Sequence, residues 1–278
     1  MRTAVEHMIG TVVSVAAPDT VDVRVFGAAV REAFAFLRHV DEVFSPYHPD
    51  SPADPTGDGL LDTSGPCGDL DGHGIRHRLE LCGDLHAVSG GVLDAWAGGP
   101  HPEFDPCAAV KGWAAERASE LLADSGLARH ALNAGGDVRV RSGDRSDAPV
   151  WRVGVTDPCL PGCLLAVAEV HDGGVATSGT VERGTPLWDP AAGRHARGLA
   201  QVTVIGPDLA LADGYATAAM SQPSIGLAYD WLDCLAADTA YQAVTVDVAG
   251  RTRTTPGATG LTVLTTVSRS VPAEHGRA

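Results

Sequence analysis

The second half of the chain is rich in short apolar and β-branched runs, and an alanine-rich segment at 209–220 interrupts them. Such runs predict strands, here at 151–155, 164–170, 175–178, 201–205, 243–248 and 261–266. Apolar residues at helical spacing predict helices at 27–43, 76–89, 109–124 and 225–237, and the alanine-rich segment predicts another. Strands in series, joined by helices in some places and by hairpins in others, indicate an α+β fold with mixed or antiparallel sheets and flanking helices.

The N-terminal region has two apolar runs, 8–16 and 21–26, on either side of Pro18 and Asp19. The second run alternates apolar and polar residues, which is typical of a half-buried strand. Pro-Asp is a common turn sequence. The pattern therefore predicts a hairpin of these two runs.

Charge and hydropathy exclude several classes of function. The 278 residues carry a net charge of −15, whereas nucleic-acid binding requires patches of Lys and Arg. The same charge argues against docking on anionic lipid. No run of about 18 apolar residues is present, so no membrane span is expected. The N-terminus shows no apolar signal core and no lipidation cysteine, which indicates a cytoplasmic protein, or an extracytoplasmic one if a leader was trimmed.

Asp213 and Thr217 are the strongest candidates for a metal site. They are four residues apart in the alanine-rich segment, so on a helix their side chains share one face. A carboxylate and a hydroxyl are hard oxygen ligands, which suit Mg²⁺ completed by water and a substrate phosphate. The alternative is an ordinary solvated face.

Two further segments have features of an anion site. Lys111 precedes Gly112 in the first turn of a helix, where a cation is disfavoured unless an anion also binds there. The alternative is a solvated lysine. Gly135 and Gly136, within Asn-Ala-Gly-Gly-Asp, allow close backbone approach to a ligand, or form a plain tight turn.

Two other segments could contact an aromatic or phosphate ligand. Ser178 lies in Thr-Ser-Gly at the end of a strand, where its hydroxyl could meet a phosphate or a flavin edge, or serve only structure. Tyr47, in the loop Phe-Ser-Pro-Tyr, could stack on an aromatic ligand or anchor the loop.

In order along the chain, these motifs resemble those of the ApbE family, the FAD:protein FMN transferases. The series comprises Ile-Gly-Thr (9–11), Phe-Ser-Pro-Tyr (44–47), Ser-Gly-Gly-Val-Leu-Asp (89–94), Asp-(five residues)-Lys-Gly-Trp (105–113), Asn-Ala-Gly-Gly-Asp (133–137), Thr-Ser-Gly (177–179), Trp-Asp-Pro-Ala-Ala-Gly (188–193) and the strand and helix at 202–218. The resemblance is strongest over 7–222. It implies one ApbE-like domain, related to the T-fold, over 1–278.

The resemblance implies an Mg²⁺-dependent enzyme that cleaves the FAD pyrophosphate, attaches FMN to a Thr or Ser hydroxyl of an acceptor protein and releases AMP. The acceptor would carry an Asp/Ser-Gly-Ala/Ser-Thr/Ser motif. Asp213 and Lys111 would be catalytic, and Asp213, the Thr217 hydroxyl and the Ala108 carbonyl would bind the metal. The residues implied in FAD binding are Met8, Tyr47, Val92, Leu93, Asp94, Asp105, Lys111, Gly135, Gly136, Ser178 and Leu187.

Two departures from the family pattern bear on activity. The family has Met directly before Gly-Thr, whereas Met8 stands one residue earlier. Family members carry a His, the expected general base, where this chain has Pro186. His171 or His195 is a candidate substitute. A lost base leaves two alternatives open: an FAD pyrophosphatase that yields FMN and AMP, or a non-catalytic FAD-binding protein.

Overall fold

The computed structural model describes residues 1–44, 82–93, 107–143, 148–180, 188–189, 194–195 and 198–264. Its strands are β1 (Arg2–Met8), β2 (Thr11–Ala17), β3 (Arg129–Ala134), β4 (Asp137–Ser142), β5 (Trp151–Thr156), β6 (Leu164–Val170), β7 (Gly173–Gly179), β8 (Trp188–Asp189), β9 (Arg194–His195), β10 (Leu199–Gly206), β11 (Gln242–Asp247), β12 (Thr252–Thr254) and β13 (Leu261–Val263). Its helices are α1 (Val23–Phe44), α2 (82–88), α3 (Cys107–Asp124), α4 (Leu209–Met220) and α5 (Ile225–Asp238).

Eight strands form the main sheet, in the order β1-β2-β3-β4-β7-β10-β11-β12. A three-stranded sheet has the order β13-β6-β5, and β8 pairs with β9. Every described strand pair is antiparallel. The α+β fold with antiparallel sheets and flanking helices is therefore confirmed.

Helices and sheets enclose one large core and two small ones. The large core joins apolar residues of the helices to those of β1, β2, β3, β10 and β11. A smaller core packs β5 and β6 against β4 and β7 through Val140, Val153, Ala168, Val170 and Val175. The middle of the main sheet is thus covered on both faces, which fixes the register of β4 and β7.

Helix α4 lies at the centre of the large core, and all its residues except Leu211 are buried. Small residues allow its neighbours to approach closely. A Cβ added at Gly112 of α3 would lie 2.7 Å from the Asp213 Cβ, and one added at Gly174 of β7 would lie 2.6 Å from the Leu209 Cα. A helix buried on all sides needs no polar face, which explains its alanine-rich sequence.

The predicted N-terminal hairpin of 8–16 with 21–26 is wrong. Strand β2 pairs instead with β1, through a turn at Ile9 and Gly10 whose φ angles are +48° and +68°. Two positive φ angles give the backbone twist that suits a two-residue hairpin. The segment 21–26 leads into α1, because the Asp22 carboxylate accepts hydrogen bonds from the backbone N–H groups of Arg24 and Val25 and caps the helix.

The other predicted elements lie close to those observed. The alanine-rich helix is confirmed at Leu209–Met220, and the helices predicted at 27–43, 109–124 and 225–237 correspond to α1, α3 and α5. Of the helix predicted at 76–89, only the part from 82 lies within the described residues. Within the described ranges, no helix combines the length and apolar character needed to cross a bilayer.

Candidate functional site

Four elements bring polar side chains together around Asp213. The residue lies on α4 with its side chain fully buried. Helix α3 contributes Lys111, β4 begins there with Asp137, and β7 ends there with Ser178. The polar groups are therefore held by regular elements rather than by loops, so their geometry is well defined.

Helices α3 and α4 touch at Gly112. Its backbone N–H donates to the Asp213 Oδ2 at 3.1 Å. A side chain at position 112 would collide with Asp213 and with the backbone of Ala210, whose Cα would lie 3.1 Å from the added Cβ. The glycine of the Lys-Gly pair thus allows the helix contact that aims Asp213, a role distinct from anion binding.

Lys111 lies between two buried carboxylates. Its Nζ is 2.5 Å from the Asp137 Oδ2 and 3.8 Å from the Asp213 Oδ1. The lysine side chain is 23% exposed, whereas both aspartate side chains are at 0%. We call these three residues the carboxylate cluster. A buried carboxylate is stable only when it is paired and hydrogen-bonded, and the ammonium supplies that partner to Asp137.

Asp137 is the site residue that sequence reasoning did not assign. It ends the Asn-Ala-Gly-Gly-Asp motif and begins β4, and its Oδ1 accepts a hydrogen bond from the Thr177 backbone N–H at 2.9 Å. The Asn-Ala-Gly-Gly-Asp motif is the sequence feature that could have identified Asp137. Its acidic last residue follows two glycines directly, at the position where the chain re-enters the sheet.

The predicted metal ligand Thr217 and the predicted cofactor contact Ser178 lie together. Their hydroxyl oxygens are 3.1 Å apart, and both residues are buried. On α4, Thr217 lies one turn beyond Asp213. The Thr177 hydroxyl faces the Thr203 hydroxyl at 2.9 Å instead. Hydroxyls from α4 and β7 therefore extend the polar site beyond the carboxylate cluster.

Gly135 and Gly136 form the turn that leads into Asp137. Their φ angles are +62° and +99°, a backbone region that residues other than glycine rarely adopt. A Cβ at Gly135 would lie 2.5 Å from the Thr11 Oγ1, so this turn packs against the start of β2. The Gly136 N–H donates to the Asn133 Oδ1 at 2.9 Å. The turn is thus tightly packed as well as adjacent to the site.

The remaining predicted residues occupy varied positions. Met8 ends β1 and packs in the large core. Val92 and Leu93 follow α2 and are half-buried, and the Leu93 N–H donates to the Ser89 Oγ at 3.0 Å. Ala108 lies on α3, one turn before Gly112. Outside the described residues lie Tyr47, Asp94, Asp105, Leu187 and Pro186.

The two histidines considered as substitute bases lie on different parts of the fold. His171 precedes β7, whereas Ser178 lies near its other end, and the His171 carbonyl accepts a hydrogen bond from Ser142, the last residue of β4. Seven residues of extended chain span roughly 20 Å, which is too far for proton transfer. His171 therefore lies far along β7 from Ser178. His195 pairs with Trp188 in the two-residue ladder of β8 and β9.

The composition of the site fits an additional cation. Two carboxylates against one ammonium give the carboxylate cluster a formal net charge of −1. In the described part of the chain, no group of three or more His, Cys, Asp or Glu side chains could hold a metal ion. A divalent ion here would need hydroxyl, carbonyl, water or phosphate oxygens beside Asp213, which is the ligand set that Mg²⁺ accepts.

Comparison with known proteins identifies a family. A sequence profile described as the ApbE family matches residues 69–235, more than half of the chain. A protein of Rhodobacter capsulatus named FAD:protein FMN transferase is 35% identical over 127 residues, which cover 43% of this chain and 24% of that protein. One of the same name from Salmonella typhimurium is 30% identical over 120 residues, which cover 40% of this chain and 34% of that protein. The matches thus span about a quarter to a third of these two relatives.

Solved structures extend the similarity to nearly the whole fold. The crystal structure of the ApbE protein from Thermotoga maritima superposes with a TM-score of 0.72 at 18% identity, covering 92% of this chain and 97% of that one. The flavin transferase ApbE from Vibrio cholerae gives a TM-score of 0.69, also at 18% identity, over 92% and 97% of the two chains. At this identity the likeness establishes the fold.

Proposed function

Because this chain belongs to the ApbE family, we propose that it is an Mg²⁺-dependent enzyme that transfers FMN from FAD to an acceptor protein. The observation that carries the proposal is the carboxylate cluster beside the paired hydroxyls of Ser178 and Thr217. An ammonium, buried carboxylates and hydroxyls at one point are the groups that a phosphoryl-transfer site requires.

In the proposed reaction a Thr or Ser hydroxyl of the acceptor attacks the phosphorus of the FMN half of FAD. A new oxygen–phosphorus bond forms, the bond to the bridging oxygen breaks, and AMP leaves with that oxygen. The acceptor hydroxyl gives up its proton to solvent water, directly or through a general base, and AMP carries away the negative charge. The acceptor would present an Asp/Ser-Gly-Ala/Ser-Thr/Ser segment.

Lys111 has the role of holding the pyrophosphate by its charge. It is the only lysine in the chain and sits on the rigid helix α3. Because its Nζ already contacts Asp137, the ammonium is oriented before substrate binds. Such preorganisation lowers the cost of bringing a charged group to the transition state.

Asp213, the Thr217 hydroxyl and the Ala108 carbonyl would hold Mg²⁺, which when bound neutralises the pyrophosphate and stabilises the leaving AMP oxygen. The Gly112 N–H fixes the Asp213 Oδ2, so the direction of this carboxylate is set by the helix contact. Tyr47, Val92, Leu93, Asp94, Asp105 and Leu187 are proposed to line the FAD site, with Met8, Gly135, Gly136 and Ser178.

Pro186 lowers the rate of FMN transfer that we expect. Proline has no group that accepts a proton, and general base catalysis typically contributes about 10²- to 10⁴-fold. We therefore propose a transferase slower than relatives that carry His at this position. Of the two candidate bases, His195 lies nearer in the sequence, nine residues beyond Pro186, and its replacement by Ala should lower transfer further if it fills this role.

The test is to incubate the protein with FAD, Mg²⁺ and an acceptor domain containing Asp-Gly-Ala-Thr, and to measure acceptor mass and AMP together. The proposal expects an FMN-sized mass gain with an equal amount of AMP, both lost in Asp213→Ala. Asp230→Ala is the matched control, because it removes an exposed carboxylate from α5.

Other outcomes assign other functions. AMP without acceptor modification would replace the transferase by an FAD pyrophosphatase, because water would then be the acceptor. FAD binding with neither product would indicate a flavin-binding protein without catalysis. Product formation that is unchanged by removal of Mg²⁺ would contradict the metal assignment alone.

A further inference from the structure

We infer that Glu116 is a positioning residue that sets the geometry of the carboxylate cluster. The inference rests on the proposed function for its catalytic consequence, but its structural content stands on contacts alone. Glu116 joins the three elements that carry Lys111, Asp137 and Asp213, namely α3, β4 and α4. We call Glu116, Arg139 and the backbone N–H of Leu209 the bracket.

The first part of the bracket fixes α3 against α4. The Glu116 Oε2 accepts a hydrogen bond from the Leu209 N–H at 2.9 Å, and both residues are buried. One turn away, the Gly112 N–H donates to the Asp213 Oδ2. Glu116 follows Gly112 by four residues, and Leu209 precedes Asp213 by four. The two helices are therefore antiparallel and are joined at two points one turn apart.

The second part fixes α3 against β4. The Arg139 Nε donates to the Glu116 Oε1 at 2.8 Å. Arg139 follows Asp137 by two residues, so both side chains lie on the same face of the strand. Lys111 and Glu116 of α3 thus pair with Asp137 and Arg139 of β4, again at two successive levels.

Arg139 is itself held firmly. It donates to the Asp172 Oδ1 at 2.8 Å and to the carbonyl of Val140. Burial opposes the charge, but the Glu116 carboxylate and the hydrogen bonds with Glu116 and Asp172 outweigh it, so the pKa of Arg139 is raised. Arg139 therefore stays charged and gives Glu116 a fixed partner, which in turn fixes α4.

The bracket joins the same three elements as the carboxylate cluster and lies one helical turn away from it along α3 and α4. In each, a side chain of α3 meets groups from β4 and from α4, and the Glu116 Oε1 also accepts a hydrogen bond from the Arg141 Nη2 of β4 at 3.0 Å. Removal of Glu116 would leave the Leu209 N–H without this acceptor and would free the two helices to shift along each other. A shift of about 1 Å at a catalytic group can cost about 10²-fold in rate.

The test uses Lys111 as a reporter that does not depend on activity. Because it is the only lysine of the chain, protein labelled with ¹³C at the lysine Cε gives a single cross-peak that needs no assignment. We expect Glu116→Ala to move this peak at a fixed pH in metal-free buffer. Glu116→Gln keeps one oxygen for the Leu209 N–H, so its peak should lie between the positions found in the wild-type protein and in Glu116→Ala.

The rate of FMN transfer, measured on the same proteins, should fall in the order in which the Lys111 peak moves. The kcat/KM for FAD should fall at least tenfold in Glu116→Ala and by less in Glu116→Gln. The matched control is Asp233→Ala, which breaks the contact of Asp233 with Arg253 between α5 and β12, neither of which carries a cluster residue. It should leave both the peak and the rate at wild-type values.

The outcomes separate this inference from the proposed function. An unmoved Lys111 peak together with an unchanged transfer rate in Glu116→Ala would overturn the positioning role. A wild-type protein without transfer whose Lys111 peak still moves in Glu116→Ala would refute the proposed function and support the positioning role. If Glu116→Ala does not fold, Glu116→Gln decides by the same two readouts.

Discussion

Replacement of Gly112 by alanine tests the contact on which the site geometry depends. The added Cβ would lie 2.7 Å from the Asp213 Cβ and 3.1 Å from the Ala210 Cα, whereas ordinary contacts begin at 3.4 Å. Neither neighbour is a flexible side-chain end, because both atoms are fixed by the α4 backbone. Helices α3 and α4 must therefore separate by about 0.7 Å to restore an ordinary contact.

Two opposing effects set the magnitude. Alanine is better than glycine inside a helix by about 0.5–1 kcal/mol, and overpacking of a core costs about 1–3 kcal/mol. We expect the free energy of unfolding to fall by about 1–2 kcal/mol. Under the proposed function the displacement of Asp213 affects the reaction more than stability, and FMN transfer should fall by about ten- to a hundredfold.

The assay combines urea unfolding with initial rates of FMN transfer at saturating FAD. Gly226→Ala is the matched control, because this glycine of α5 has only the Ser224 Oγ, at 3.9 Å, near an added Cβ. That variant should gain about 0.5–1 kcal/mol and keep its activity. If Gly112→Ala behaves like Gly226→Ala in both measurements, the close contact of α3 with α4 does not aim Asp213.

Three further predictions concern stability. Burial lowers the pKa of His130 to about 4 from 6.5, so the unfolded chain binds the extra proton between these values, and stability should fall by about 3 kcal/mol as pH drops through that window. His130→Gln should abolish this part of the pH dependence in urea unfolding. Gly135→Ala should lower the Tm more than Gly257→Ala, because both have positive φ but only the first meets a side chain, Thr11. Gly214→Ala should lower the free energy of unfolding, because the added Cβ would lie 2.4 Å from the Leu85 Cδ2 of α2. Replacement of Leu85 by a smaller residue in the same protein should restore part of that free energy.

The sequence by itself determined the elements in which local pattern and burial agree. Strands β5, β6, β7 and β10 follow from short apolar and β-branched runs, and the helix Leu209–Met220 follows from its alanine content. Asp213 and Thr217 were assigned to one face of that helix by spacing alone. These features depend on neighbours within a few residues, which is the range over which a sequence pattern acts.

Local pattern failed at 21–26, where alternation favoured a strand. The Asp22 cap and the apolar stripe that begins at Phe26 made it the start of a long helix. The hairpin partner of β2 is β1, and that choice depends on the positive φ angles of Ile9 and Gly10. A hairpin register is set by such turn geometry as much as by the residues of its strands.

Only the tertiary structure decided which polar groups meet. Lys111, Asp137 and Asp213 are separated by 26 and then 76 residues in the sequence, and no local rule relates them. Their contact requires α3 to lie against α4 at Gly112 and β4 to begin beside both. The physical reason is that burial makes each charge dependent on a partner, and the partner is supplied by packing between distant segments rather than by spacing along the chain.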